Sequence, residues 1–278
     1  MNFLNLRKIS FYSFYKTCYI KKMALRKNVK TLILGSSHGD YAWIPDKDEF
    51  NFCLASQDLY YSYQLYHKYV KFLPNLKKII LFFSVFSPGF ELDKCPEKER
   101  CMVYDALFNI PPKTCFYETN PYKNILLRVF TWFKFQKIIL FFRNYRGKCL
   151  DLEGKAVLRQ DTANLEDRVQ NALKHNKRNQ TGFDYIKKLI AETNEYKQEL
   201  IIILSPVHSK YKEIVDKAIH FNCESPLLES AKFKVIDGYR LGCLSDDCFW
   251  DFDHLRPEGA KQFTAAVRKE ININDFIS

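Results

Sequence analysis

The chain of 278 residues is 47% hydrophobic and 16% aromatic, enough apolar side chain to bury a sizeable core and to exclude wholesale disorder. Its 43 Lys and Arg against 32 Asp and Glu give a formal net charge of +11, a balance that favours anionic partners without choosing among nucleic acid, acidic lipid, anionic glycan or phosphate. The cations are scattered, and with no zinc finger, RNP-like strand or basic region feeding a zipper, nucleic acid is not an expected partner.

Residues 1–26 are basic and aromatic. Arg7, Lys8 and Lys16 interrupt any apolar core, so the segment reads neither as a signal peptide nor as a bilayer span. Two readings stay open: an N-terminal extension packed on the rest, or a segment making peripheral contact with an anionic membrane surface. The remainder, 27–278, reads as one α/β domain.

Five short apolar runs then follow in order. They are Val29–Leu34, Phe50–Leu54, Lys78–Ser84, Glu199–Ser205 and Phe233–Asp237. Continuous rather than alternating hydrophobicity suits strands covered on both faces. Helical spacing runs through Ser56–Phe72, Thr181–Lys197 and Glu258–Ile271, the last directly behind Pro257. This alternation predicts a flavodoxin-like three-layer α/β/α fold, with a central parallel sheet of about five strands. Residues of about 90–180 break the rhythm. They read as a helical insertion between the third and fourth strands, overhanging the carboxyl ends where ligands bind such sheets. Within it, Phe135–Phe142 is far too short to cross a membrane.

Nine cysteines with no C-x-x-C pair point to a reducing compartment, hence a cytoplasmic or membrane-peripheral protein. The six histidines are spread out without ligand spacing, so no metal or other cofactor is expected.

Two segments carry chemistry. The first, Gly35-Ser36-Ser37-His38, follows the first strand at once. A serine on a tight turn at a strand's carboxyl end is held where substrate reaches it, and the next helix aims its amides at the same spot. The second is Asp251-Phe252-Asp253-His254, entering the last helix. Serine needs a neighbouring base, imidazole supplies one near neutral pH, and a carboxylate three residues earlier can hold its tautomer. Each segment alone also reads as an ordinary turn or cap. Together they fall on one edge of the sheet.

In these two blocks the chain resembles the SGNH (GDSL-like) hydrolase superfamily, whose members open with Gly-Asp-Ser and close with D-x-x-H. Gly35-Ser36-Ser37 is the Gly-Ser-Ser variant of the opening block. The resemblance covers the sheet from about residue 29 to 270, outside the insertion. It implies Ser37 as nucleophile, His254 as base and Asp251 as the acid that orients it. The middle blocks depart from the pattern. Ser56 stands where the family has an oxyanion Gly, and Phe83–Gly89 lacks the family's Asn. Ser84 or Ser87 can take its place, or the N–H groups of Ser37 and Ser56 can serve alone; loss of one such donor costs about 3 kcal/mol. His38 either caps the turn or meets substrate. Arg256 either binds an anionic substrate or pairs with Glu258. Asp253 is an alternative orienting acid whose adjacency to His254 makes its approach harder, and His208 reads as a wall residue.

Three functions follow in order. The first is a serine esterase or O-acyltransferase acting on a small acyl ester, an acetyl group on a carbohydrate or cell-surface glycan. The second is a non-catalytic scaffold of that fold, binding glycan or a biosynthetic partner. The third is a basic nucleic-acid binder.

Overall fold

The computed structural model describes residues 29–101, 104–114, 164–177, 181–223 and 233–275. The N-terminal extension 1–26 and most of the insertion, 115–163, lie outside the described residues, and with them Phe135–Phe142 and the suggested membrane-contact segment.

All five apolar runs yield strands: β1 (Thr31–Leu34), β2 (Glu49–Asn51), β3 (Lys78–Phe83), β4 (Glu199–Leu204) and β5 (Lys234–Ile236). They form one sheet in the order β2-β1-β3-β4-β5, every neighbour parallel, with Leu32 opposite Phe50 and Ile79, Ile80 opposite Ile201, and Ile202 opposite Val235. Pairing along β2 outlasts the strand itself. Phe52 N–H donates to Ile33 O and Leu54 N–H to Gly35 O, while Cys53 N–H turns instead to the side chain of Asn51.

Six helices cover the two faces among the described residues: α1 (Ser37–Ala42), α2 (Leu59–Tyr69), α3 (Leu165–Lys177), α4 (Gly182–Glu195), α5 (Ser209–Ala218) and α6 (Pro257–Asp275). Successive strand side chains point to opposite faces, and the core divides accordingly. Ile33, Ile80, Phe82, Ile201 and Ile203 meet Ala42 of α1 and Phe263 and Val267 of α6. Leu32, Leu34, Ile79, Leu81, Phe83 and Ile202 meet residues of α2, α3, α4 and α5. Each fully buried Leu, Ile or Phe here contributes about 1.5–3 kcal/mol of transfer free energy. The three-layer α/β/α architecture is therefore as the alternation predicts.

Several helix limits differ from the sequence pattern, for local reasons. α2 begins three residues late because Ser56 takes a φ of +57° and Asp58 is the cap, its carboxylate accepting from Tyr61 N–H at 2.8 Å. α4 ends at Glu195, and Lys197, with φ +56°, turns the chain into β4. α6 begins on Pro257 itself, whose missing N–H costs nothing in a first turn. In the described part of the insertion, short turns at Leu92–Lys94 and Lys98–Arg100 and a π-type turn at Tyr104–Phe108 precede α3. No helix among the described residues is long and apolar enough to cross a membrane.

The strand order reverses between β1 and β3. In an open parallel sheet that reversal leaves a crevice at the carboxyl ends of those strands. Gly35 and Ser84 are the residues at its two sides.

Candidate active site

Gly35 makes the turn out of β1. Its φ is +137°, and a Cβ there would sit 2.9 Å from Phe82 Cβ and 3.0 Å from the Phe82 carbonyl. Only glycine fits. Ser36 follows as the cap of α1, its hydroxyl accepting from His38 N–H. Ser37 is thereby the first residue of the helix, where backbone N–H groups have no partner within the helix. Ser37 is half-buried while both neighbours are buried, so of the three it is the one open to solvent. From below, the buried Asn51 side chain donates to Gly39 O and Trp43 O at 3.2 Å each, tying α1 to β2.

The second segment arrives from the far end of the chain. Phe249 and Leu255 form an antiparallel bridge, Trp250 N–H donates to His254 O, and Arg256 N–H to Cys248 O. Inside this small loop Asp251 Oδ1 accepts the N–H groups of Asp253 and His254 at 3.0 and 2.8 Å. The carboxylate is thus fixed by its own loop before any side chain meets it.

These two pieces come together. His254 Nε2 lies 2.8 Å from Ser37 Oγ, across 217 positions of sequence, and His254 Nδ1 lies 2.9 Å from Asp251 Oδ2. A carboxylate only accepts, so Nδ1 carries the proton and Nε2 accepts from the Ser37 hydroxyl. Burial works against a charged His254, yet the Asp251 and Asp253 carboxylates outweigh it and hold the pKa above the ordinary histidine value. Desolvation pulls both carboxylates up. The facing His254, joined for Asp253 by His38, overcomes it and leaves both low, Asp253 well below the usual range.

Asp253 comes closer than adjacency in sequence suggested: its Oδ1 is 2.9 Å from His254 Nδ1. Its Oδ2 is 3.2 Å from His38 Nε2. His38 neither caps the turn with its ring nor points away. It is buried, edge-on to His254 with centroids 4.9 Å apart, and its Nδ1 hydrogen-bonds Ser84 Oγ. Burial, against the pull of Asp253, lowers its pKa. A line of contacts therefore runs from Ser37 through His254, Asp253 and His38 to Ser84 and on to Ser205, whose hydroxyl is 3.0 Å from that of Ser84.

The remaining sequence candidates divide. Ser84 and Ser87 are buried; the Ser87 hydroxyl accepts Ser84 N–H at 2.9 Å and so serves the loop after β3, while the Ser84 hydroxyl faces His38 and Ser205. Ser56 holds the left-handed backbone that glycine favours, and its hydroxyl bonds the Glu97 carboxylate. Arg256 lies outside this group; its guanidinium donates to Phe249 O at 2.7 Å and stacks over Trp250. His208 caps α5 by accepting Lys210 N–H, and its ring lies against Phe249 and Phe252.

One participant had no sequence signal. Arg168 of α3, a single cation among 43, donates from Nε to Asp253 Oδ2 at 3.0 Å and pairs through Nη2 with Asp253 Oδ1 at 2.6 Å and Asp251 Oδ2 at 3.4 Å. The fold also assembles what histidine spacing did not foretell. His38, Asp253 and His254 offer ligand atoms within 4.8 Å of one another. The Arg168 guanidinium, against Asp253 and 3.3 Å from His254 Nδ1, already supplies the positive charge that such a cluster needs.

No family model, curated protein or solved structure matches the chain.

Proposed function

We propose that the chain is a serine-dependent esterase or O-acyltransferase of the SGNH type, acting on a small acyl ester through an acyl-Ser37 intermediate. The observation that carries this reading is the relay from Ser37 Oγ to His254 Nε2 at 2.8 Å and from His254 Nδ1 to Asp251 at 2.9 Å. Ser37 Oγ attacks the ester carbonyl carbon as its proton passes to His254 Nε2. The tetrahedral oxyanion collapses, the C–O bond to the leaving group breaks, and that oxygen takes the proton from His254. Water or an acceptor hydroxyl then gives its proton to His254 and attacks the acyl carbon; the acyl C–Oγ bond breaks and Ser37 Oγ takes the proton back from His254. The Ser37 N–H at the start of α1 and the N–H of left-handed Ser56 are the donors assigned to the oxyanion. An acetylated carbohydrate or cell-surface glycan as substrate rests on the SGNH resemblance.

Ser37→Ala should remove turnover of p-nitrophenyl acetate and the covalent adduct with a fluorophosphonate, with unfolding temperature unchanged. Full activity in that variant rejects Ser37 as nucleophile. One observation favours the second reading, a non-catalytic scaffold binding glycan or a biosynthetic partner: the Ser84 hydroxyl, at the family's Asn position, is committed to His38 and Ser205. A native protein inert to the fluorophosphonate would decide for it.

A further inference from the structure

Two carboxylates compete for one imidazole proton. Asp251 Oδ2 and Asp253 Oδ1 each stand 2.9 Å from His254 Nδ1, but Nδ1 has one hydrogen to give; Asp251 is hydrogen-bonded to it, and Asp253 Oδ1 is left without a hydrogen bond. Like charges at such range repel strongly where water is excluded, and both groups are buried. Something must settle which acid takes the proton and what becomes of the other.

Arg168 does so by its charge and its placement. It meets Asp253 with two nitrogens, Nε donating to Oδ2 at 3.0 Å and Nη2 in charge contact with Oδ1 at 2.6 Å, a reach that the planar guanidinium provides. Its reach to Asp251 is longer, 3.4 Å. Asp251, for its part, is already oriented by two backbone amides. The helix that carries Arg168 is anchored as well. Val169, Ala172 and Leu173 are buried in the core, and Asn176 donates to Val85 O at 2.7 Å, on the loop that follows β3.

We infer that Arg168, supplied by the insertion, is a positioning residue that takes Asp253 as its partner and leaves Asp251 to hold His254 as base for Ser37. The inference rests on the proposed serine chemistry for its catalytic meaning, though not for its electrostatic one. The site is then built from three separated parts of the chain, and the insertion supplies one of them through α3.

The charged and titratable groups around His254 fix the sign of the test. They are His38 and Tyr41 from α1, Asp251 and Asp253 from its own loop, Arg168 from α3, and Tyr211 from α5, beside Asp253 and Arg168. Taking away the guanidinium removes a cation next to the ring and exposes the full charge of two carboxylates, so the imidazolium gains stability. In Arg168→Gln the His254 midpoint, followed by NMR of the imidazole resonances, should rise by about one pH unit. Arg168→Lys keeps the charge at the same place, and its midpoint should stay near that of the parent protein. An unmoved midpoint in Arg168→Gln overturns the inference. Should that variant not fold, a rise of about one unit in Arg168→Lys does the same. The NMR readout needs no substrate, so a shifted midpoint in a protein inert to fluorophosphonate would reject the esterase reading and keep the role of Arg168.

Discussion

Ser37, His254 and Asp251 are ordinary residues given their chemistry by contact. A serine hydroxyl is a poor nucleophile until a base shares its proton. In the proposed chemistry His254 serves as that base only in its neutral form, and the carboxylates beside it favour the charged one. Activity should therefore rise with pH through a midpoint above the ordinary histidine value, since the base is lost to protonation below it. Asp253→Asn removes one of the two charges that raise this midpoint and leaves Arg168 without its closest partner. Both changes disfavour the imidazolium, so the acid limb of kcat/KM should move to lower pH, opposite to the effect expected of Arg168→Gln. A pH–rate profile of each variant gives the two directions; a shared direction would contradict the arrangement of charges described. His38 takes no direct part in this relay. Its ring lies between Asp253 and Ser84, in the position of a spacer that keeps the second carboxylate in place.

The β1–α1 turn is the element on which the site depends. Gly35 provides the backbone shape, Ser36 the cap, and Asn51 the tie to β2. A methyl group at Gly35 would meet Phe82 Cβ and backbone in a conformation that L-residues rarely adopt. Gly35→Ala should cost about 2–4 kcal/mol in urea unfolding and displace Ser37 from His254, with loss of activity larger than the loss of folded protein. An equally stable, fully active Gly35→Ala would show that the turn tolerates another shape. The loop of Asp251 and His254 is the complementary element. It needs no glycine at the histidine, because the Phe249–Leu255 bridge and the amide contacts of Asp251 hold it.

Across the molecule the two segments of the candidate site share no sequence neighbourhood, so the packing of α6 against α1 sets their separation. Thr264 Oγ1 donates to Ala42 O and accepts Ile44 N–H, and Arg268 bonds Ile44 O and Glu49. Phe263, fully buried between these helices and the sheet, packs with Phe82 at 6.3 Å between ring centroids. Phe263→Ala should lower stability by about 3–5 kcal/mol, through lost burial and the cavity left behind. Chemical denaturation measures it; a loss under about 1 kcal/mol would show that α6 repacks freely.

Much of this was written in the order of residues. Strand hydrophobicity of the two-face kind can be satisfied only by covering a sheet on both sides, which is why the five strands and the architecture followed from pattern alone. The serine turn and the D-x-x-H loop were legible for a related reason: each is local, and each lies beside the element that positions it. For Asp253 the sequence offers only an alternative orienting acid with a harder approach, because adjacency along the chain says little about where two side chains turn. Arg168 was invisible, as one cation on an amphipathic helix looks like any other until α3 packs beside α5 and the loop after β3. So were the pairing of His38 with Ser84 and the commitment of Ser84 to Ser205. The sequence by itself determined which residue types could do the chemistry and on which edge of the sheet they would lie. Only the tertiary structure decided which carboxylate faces which histidine, because charge acts through distance in space, and residues far apart in the chain set those distances.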